Sequence, residues 1–229
     1  IFIIYESMYS SNEILINSLQ TTQKAKQLMK KVDRGYFCID DRSAYCDKPQ
    51  RILMNQTISA PHMHAKALEY LSPNLKPGST VLDVGSGSGY LTACFGEAVK
   101  VYHPNHTLRG KVIGLEYYQP LVTYSIKRTN TYLPHLFTYP SRYQIIHGSG
   151  WDGYPAYSKK EIYDAIHVGA SCDSIPIYLV YQLKKNGRMV LPLKMNESDS
   201  HIFCILRKTK KGTIVIRQMD YVRYVPLLK

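Results

Sequence analysis

TVLDVGSGSGYLTA, residues 80 to 93, holds an apolar five-residue run, then glycines at 85, 87 and 89, then the start of a second apolar run. A strand that feeds a glycine loop opening a helix is the ligand-binding turn of a doubly wound α/β sheet. Glycines there let the backbone turn tightly and let a ligand lie against the main chain. The spacing is GxGxG rather than GxGxxG, and Asp83 stands two residues before Gly85. A carboxylate at that point repels a pyrophosphate and suits a ligand with an ammonium group and no phosphate.

The run KVIGLE at 111–116 reads as the next strand, and it ends in Glu116, 116 − 85 = 31 residues beyond the first glycine. An acidic residue at that strand end accepts both hydroxyls of a ribose. Loop, Asp83 and Glu116 together describe the S-adenosylmethionine site of class I methyltransferases, with Gly85, Ser86 and Gly87 against the cofactor.

Outward from the loop, an alternation appears. Strands are expected at 80–84, 111–116, 143–149, 163–169 and 187–193, with helices near 90–98, 118–130 and 175–185. Strands apolar on both faces and separated by helices indicate a buried parallel sheet. Beyond Pro192, HIFCILRKT and TIVIRQMDYVRYV flank KKG, a hairpin signal, so the sheet ends in an antiparallel pair. Upstream, residues 12 to 32 carry apolar side chains at helical spacing, and 33 to 50 show no period. Pro61 suits the first turn of a helix that stops before Pro73, with Ser59 or Ala60 at its cap. The chain reads as one α/β domain: residues 8–60 as a helical cap with the substrate segment, and 61–229 as the Rossmann-like core.

With 229 residues, 45% of them apolar, one such domain can bury a sizeable core. No apolar run approaches the ~18 residues of a membrane helix. The opening IFIIYES lacks a basic leader and a small-residue cleavage site, and Met8 reads as the natural start with Ile1 to Ser7 an upstream remnant. Five cysteines without a CxxC fit a reduced, cytoplasmic compartment. The net charge is 29 − 17 = +12, which suggests acidic partners. The basic residues are spread along the chain, so carboxylate-bearing substrates suit the charge better than nucleic acid. A monomer is expected.

TISAPHMHA at 57–65 raises three readings. Metal binding needs converging ligands, yet side chains at i and i+2 of a helix diverge, and no third ligand is near. A Ser–His nucleophile finds little use beside S-adenosylmethionine, since attack on a methyl sulfonium needs no covalent enzyme intermediate. The third reading is the lip of a pocket, with Ser59 as a positioning donor. Against it stands a plainer one, in which Ser59 caps the helix and His62 and His64 pack or face solvent.

The chain resembles the protein-L-isoaspartate (D-aspartate) O-methyltransferase family. The resemblance rests on NEILINSL, DRSAY, QTISAPHMHA, LDVGSGSGYLTACF, KVIGLE, YDAIHVGA, QLKKNGRMVLP and the closing YVPL. It implies methyl transfer from S-adenosylmethionine, leaving S-adenosylhomocysteine, to isoaspartyl residues of damaged proteins and peptides. It implies Ser59 as the active-site serine and Ala60, Pro61, His62, Met63 and His64 along the cofactor pocket. Ser59, His64, His167, Val225 and Pro226 are expected to meet the substrate. Where relatives carry an acidic residue near the adenine, this chain reads Gly148-Ser149-Gly150, so Ser149 and Gly150 are expected to make that contact by hydroxyl or backbone. Residues 102 to 109 look like an insertion. Two rivals are a nucleic-acid methyltransferase, which DAIHVG disfavours for want of an Asn/Asp-Pro-Pro-aromatic loop, and a non-catalytic adaptor that binds the cofactor and damaged proteins.

Overall fold

The computed structural model describes residues 10–194 and 200–228; the reading of Met8 as a start lies outside them. Two short helices, α1 (Asn12–Ser18) and α2 (Gln23–Lys31), open the chain, capped by the side chains of Ser11 and Thr22. A hairpin of β1 (Gln50–Arg51) and β2 (Thr57–Ile58) follows, then α3 (Pro61–Leu71). The core alternates β3 (Thr80–Val84), α4 (Tyr90–Val99), β4 (Lys111–Glu116), α5 (Gln119–Tyr132), β5 (Tyr143–His147), β6 (Tyr163–Val168), α6 (Ile177–Gln182) and β7 (Leu183–Lys194). β8 (His201–Lys208) and β9 (Ile214–Val222) complete it.

Seven strands form one sheet in the order β5-β4-β3-β6-β7-β8-β9. β3 to β7 run parallel, while β8 and β9 are antiparallel to their neighbours. The expected terminal hairpin turns at Gly212, where Thr209 and Thr213 close the loop. The order reverses at β3, which pairs with β4 on one side and β6 on the other. A crevice opens beyond the carboxyl ends of strands at such a switch point. β3 and α4 are almost wholly buried, so the loop between them is fixed at both ends. Gly89 caps α4 at φ 89°, and a Cβ there would lie 2.9 Å from Ser125 Cβ.

α1, α2 and α3 share one apolar core with the sheet face that includes Val81, Val112 and Ala165. The amino-terminal segment is thereby held over the crevice. α6 is shorter than the sequence suggests, because the chain turns into β7 at Leu183. Gln182 is buried, accepts the Tyr154 N–H and donates to Pro155 and Ser158 carbonyls, and Lys184 pairs with Asp164. Those bonds straighten a stretch whose periodicity reads as helix. The β1–β2 hairpin follows the stretch without a period; its tip places Met54 and Asn55 at positive φ, conformations that methionine does not announce.

Candidate active site

The glycine loop is built from the backbone. Gly85 and Ser86 both donate to Leu115 O, at 2.8 and 3.2 Å, which ties the loop to the end of β4. Gly87 donates to Glu116 Oε2 at 2.8 Å, and Tyr118 donates to Oε1 at 3.0 Å. Each carboxylate oxygen thus keeps a lone pair for the cleft that Glu116 lines. Burial pushes the Glu116 carboxyl above the ordinary range, against the pull of these N–H groups.

Asp83, 1% exposed, lies at the other side of the loop. His167 Nδ1 stands 2.7 Å from its Oδ1, and Thr92 donates to Oδ2 at 2.5 Å. His167 comes from β6, paired in register with Asp83 of β3. Asp83 and His167 line one cavity with Ser59 and His64. That cavity meets the Glu116 cleft at Thr57, Gly85, Gly87 and Gly169, so the two are parts of one site.

The carboxyl-terminal segment forms the far wall. Ser171 N donates to Val225 O and Leu227 N to Ser171 O, both at 2.8 Å. Trp151 Nε1 donates to Leu227 O at 3.0 Å. Val225, Pro226, Leu227 and Leu228 then face the cleft opposite Glu116. Tyr224 reaches the Ser59 hydroxyl; burial pushes its phenol up, and the hydrogen bond with Ser59 opposes that.

The structure separates residues that the sequence groups together. Ala60 caps α3 without a side-chain bond, so Ser59 is not the cap. Ala60 and Pro61 are buried beside the cavity rather than lining it, and Met63 packs on the amino-terminal core. His62 turns outward to Asp47, 2.9 Å away, whereas His64 turns inward to the cavity. The two histidines of HMH therefore diverge. Among the described residues, no group of three His, Cys, Asp or Glu is placed to hold a metal. Ser149 donates to Leu228 O and accepts from Trp151 N, so its hydroxyl braces the wall while Gly148 and Gly150 line the cleft. A Cβ on Gly150 would lie 2.2 Å from Val84 Cγ1. Thr92, Tyr224 and Arg34 escaped the sequence reading, since each acts by bonding a site residue from a distant or unmarked position.

The residues present fit an adenosyl amino acid. Gly85 and Gly87 adopt φ of 70° and 55°, leaving a cradle bare of side chains. Ser86 Oγ is buried without a partner among the described residues and lines the cavity. Acidic groups stand at each end: Glu116 accepts from two backbone amides, while Asp83 is bonded to His167 and Thr92. The parallel sheet, its switch point and this loop define a class I S-adenosylmethionine-dependent methyltransferase.

The model of the protein-L-isoaspartate(D-aspartate) O-methyltransferase family matches residues 10–229, and the chain belongs to that family. It is similar to protein-L-isoaspartate O-methyltransferase 1 of Arabidopsis thaliana, 39% identical over 96% of this chain and 93% of that one. The Caenorhabditis elegans protein-L-isoaspartate O-methyltransferase is likewise 39% identical, over 97% and 95%. Among solved structures, a putative protein-L-isoaspartate O-methyltransferase from Plasmodium falciparum in complex with S-adenosyl-L-homocysteine superposes with a TM-score of 0.86. It is 32% identical and covers 96% of this chain and 99% of that one.

Lowering the pH should weaken cofactor binding through Glu116. An ionised carboxylate is the form that can accept from both hydroxyls of a ribose. Its raised pKa means that affinity falls, as pH drops, earlier than an ordinary glutamate would dictate. The same shift lets the empty fold gain stability on protonation and lose it as pH rises through the folded value. Titration calorimetry with S-adenosylhomocysteine across mildly acidic pH should show this slope, and Glu116→Gln should bind more weakly and flatten it. An equal slope in the variant assigns the dependence to another group.

Proposed function

We propose that the chain transfers a methyl group from S-adenosylmethionine to the free α-carboxylate of L-isoaspartyl residues in damaged proteins. One observation carries the reading: Ser59, His64, Asp83 and His167 surround a single cavity that opens into the Glu116 cleft. When bound, the cofactor supplies an electrophilic methyl group. Glu116 holds the ribose hydroxyls, Asp83 takes the ammonium with His167 and Thr92 fixing its orientation, and Gly85 to Gly87 supply backbone contact.

The acceptor is a carboxylate with an ordinary pKa of about 3.3–3.7, so it arrives ionised and asks no residue for a base. Ser59 lines the cavity, and its O–H is the donor that holds the acceptor oxygen. Orientation of this kind removes up to about 7–11 kcal/mol of barrier in favourable cases. Charge disappears as sulfonium and carboxylate become thioether and ester, so a water-poor cavity does not oppose the reaction. The ester then closes to a succinimide that can reopen as normal aspartate.

The 225–228 segment walls the cleft and lies beside a bound peptide, its own backbone largely tied to Ser149, Trp151 and Ser171. The five cysteines are buried and no disulfide joins them among the described residues, which supports a reduced, cytoplasmic setting. No helix of the described residues is long and apolar enough to cross a membrane. The enzyme acts as a monomer, without nucleic acid as substrate.

Methyl incorporation from labelled S-adenosylmethionine into an isoaspartyl peptide and into RNA separates the leading classes. Label in the peptide, released by mild base as an ester, is the expected result. Label in RNA alone would make this a nucleic-acid methyltransferase, and label in neither would leave a binding protein.

A further inference from the structure

Arg34 opens a short 3₁₀ turn and is 0% exposed, the largest fully buried side chain among the described residues. Its guanidinium donates to Ala44 O at 3.1 Å and to Lys48 O at 3.5 Å. It also stands over the Tyr90 ring, 5.9 Å from the centroid. The remaining nitrogen, NH1, lies 3.4 Å from His64 Nδ1. Among the described residues, this buried cation bonds two carbonyls and an imidazole and no carboxylate. Burying a charge on those terms is costly, and its nearest functional neighbour is a residue of the active site.

We propose that Arg34 is the positioning residue of His64, holding it as the neutral tautomer whose Nε2–H serves as a carboxylate donor in the cavity. The proposal rests on the methyltransferase reading for its carboxylate. The tautomer itself follows from chemistry. A guanidinium has only donors and keeps its proton, so Nδ1 of His64 must accept. A neutral imidazole that accepts at Nδ1 carries its hydrogen on Nε2. Protonating the ring would set N–H against N–H and cation beside cation.

The groups facing His64 from every side agree. Arg34 comes from the amino-terminal segment, and His62 lies on its own helix. The Tyr90 ring, from α4, has its centroid 4.9 Å from that of His64, and His167 with Asp83 lies across the cavity. Burial first, then Arg34, His167 and His62, hold the imidazole well below its usual range. His64 is therefore a donor that does not titrate near neutrality, backed by a fixed positive charge. Such a group holds an anion without making the hold depend on pH. Cofactor and acceptor both carry a carboxylate, and the experiment tells them apart.

Long-range proton–nitrogen NMR of the intact, ligand-free protein with ¹⁵N-histidine tests the inference, with His64→Gln identifying the signals. Unprotonated Nδ1 and protonated Nε2 are expected for His64. They should be unchanged from about pH 5 to 8, the range in which an unperturbed histidine switches charge. An Nδ1–H tautomer, or a ring that titrates in that range, overturns the proposal, whatever the enzyme methylates. Arg34→Met should give mixed tautomers and a titrating ring; a spectrum like that of the wild type also overturns it. If Arg34→Met does not fold, the wild-type spectrum still decides. His64→Gln then assigns the carboxylate. About tenfold weaker S-adenosylhomocysteine binding marks the cofactor's, and a like rise in KM for an isoaspartyl peptide alone marks the acceptor's. No change in either removes the donor role.

Discussion

Replacing Asp83 with alanine lowers the affinity for S-adenosylmethionine about tenfold or more and leaves the sheet folded. Asp83 ends one residue short of the β3 terminus, 1% exposed, with an oxygen bonded to His167 and the other to Thr92. Those two partners aim the carboxylate at the cavity, where a cofactor ammonium would complete its shell. A charge-assisted hydrogen bond is worth about 1.5–3 kcal/mol, and each 1.4 kcal/mol is a factor of ten in affinity. Loss of the carboxylate also leaves the inward nitrogen of His167 without its acceptor, so Asp83→Asn, which keeps the shape, is the companion variant. Calorimetry with S-adenosylhomocysteine on both folded variants checks the claim. Unchanged affinity in both would remove Asp83 from the cofactor site.

Ser59→Ala should reduce turnover on an isoaspartyl peptide by about 10- to 100-fold, one decade for every ~1.4 kcal/mol, while cofactor affinity holds. The loss stays partial because both reactants remain bound side by side. Removal of an N-cap serine typically costs about 1 kcal/mol of helix stability. Ser59 does not fill that role, since Ala60 caps α3 with no side-chain bond, so the melting temperature should move little. Tyr224→Phe should lower turnover as well, because it removes the other hydroxyl of the pair. Ser59→Thr keeps the hydroxyl and should retain more activity than alanine. Normal kinetics in Ser59→Ala would make the serine structural.

The glycine loop and the ends of β3 and β4 were legible because local pattern and chemistry coincide there. An apolar run, alternating glycines and two acidic residues leave few other uses. The alternation of strands and helices and the antiparallel end followed from the same logic, period by period. HMH was legible only in part. Neighbouring helix positions point apart, and which of them faces the cavity depends on partners at Asp47 and Arg34 that lie 15 and 30 residues upstream. Ser149 was expected near the adenine by hydroxyl or backbone, and its hydroxyl is engaged with Trp151 and Leu228, which leaves the backbone for that contact. Tyr224 stood within a segment expected to cover the substrate, but its bond to Ser59 spans most of the chain and leaves no local trace.

Repair itself is the most direct test. An isoaspartyl peptide and its normal aspartyl twin, each incubated with the enzyme and S-adenosylmethionine, are followed by chromatography over repeated turnovers. The isoaspartyl peptide should pass through a methyl ester and a succinimide and accumulate as the aspartyl form. The twin should stay unmethylated, and omission of the cofactor should stop the conversion. Equal methylation of both peptides, or of neither, would contradict the account.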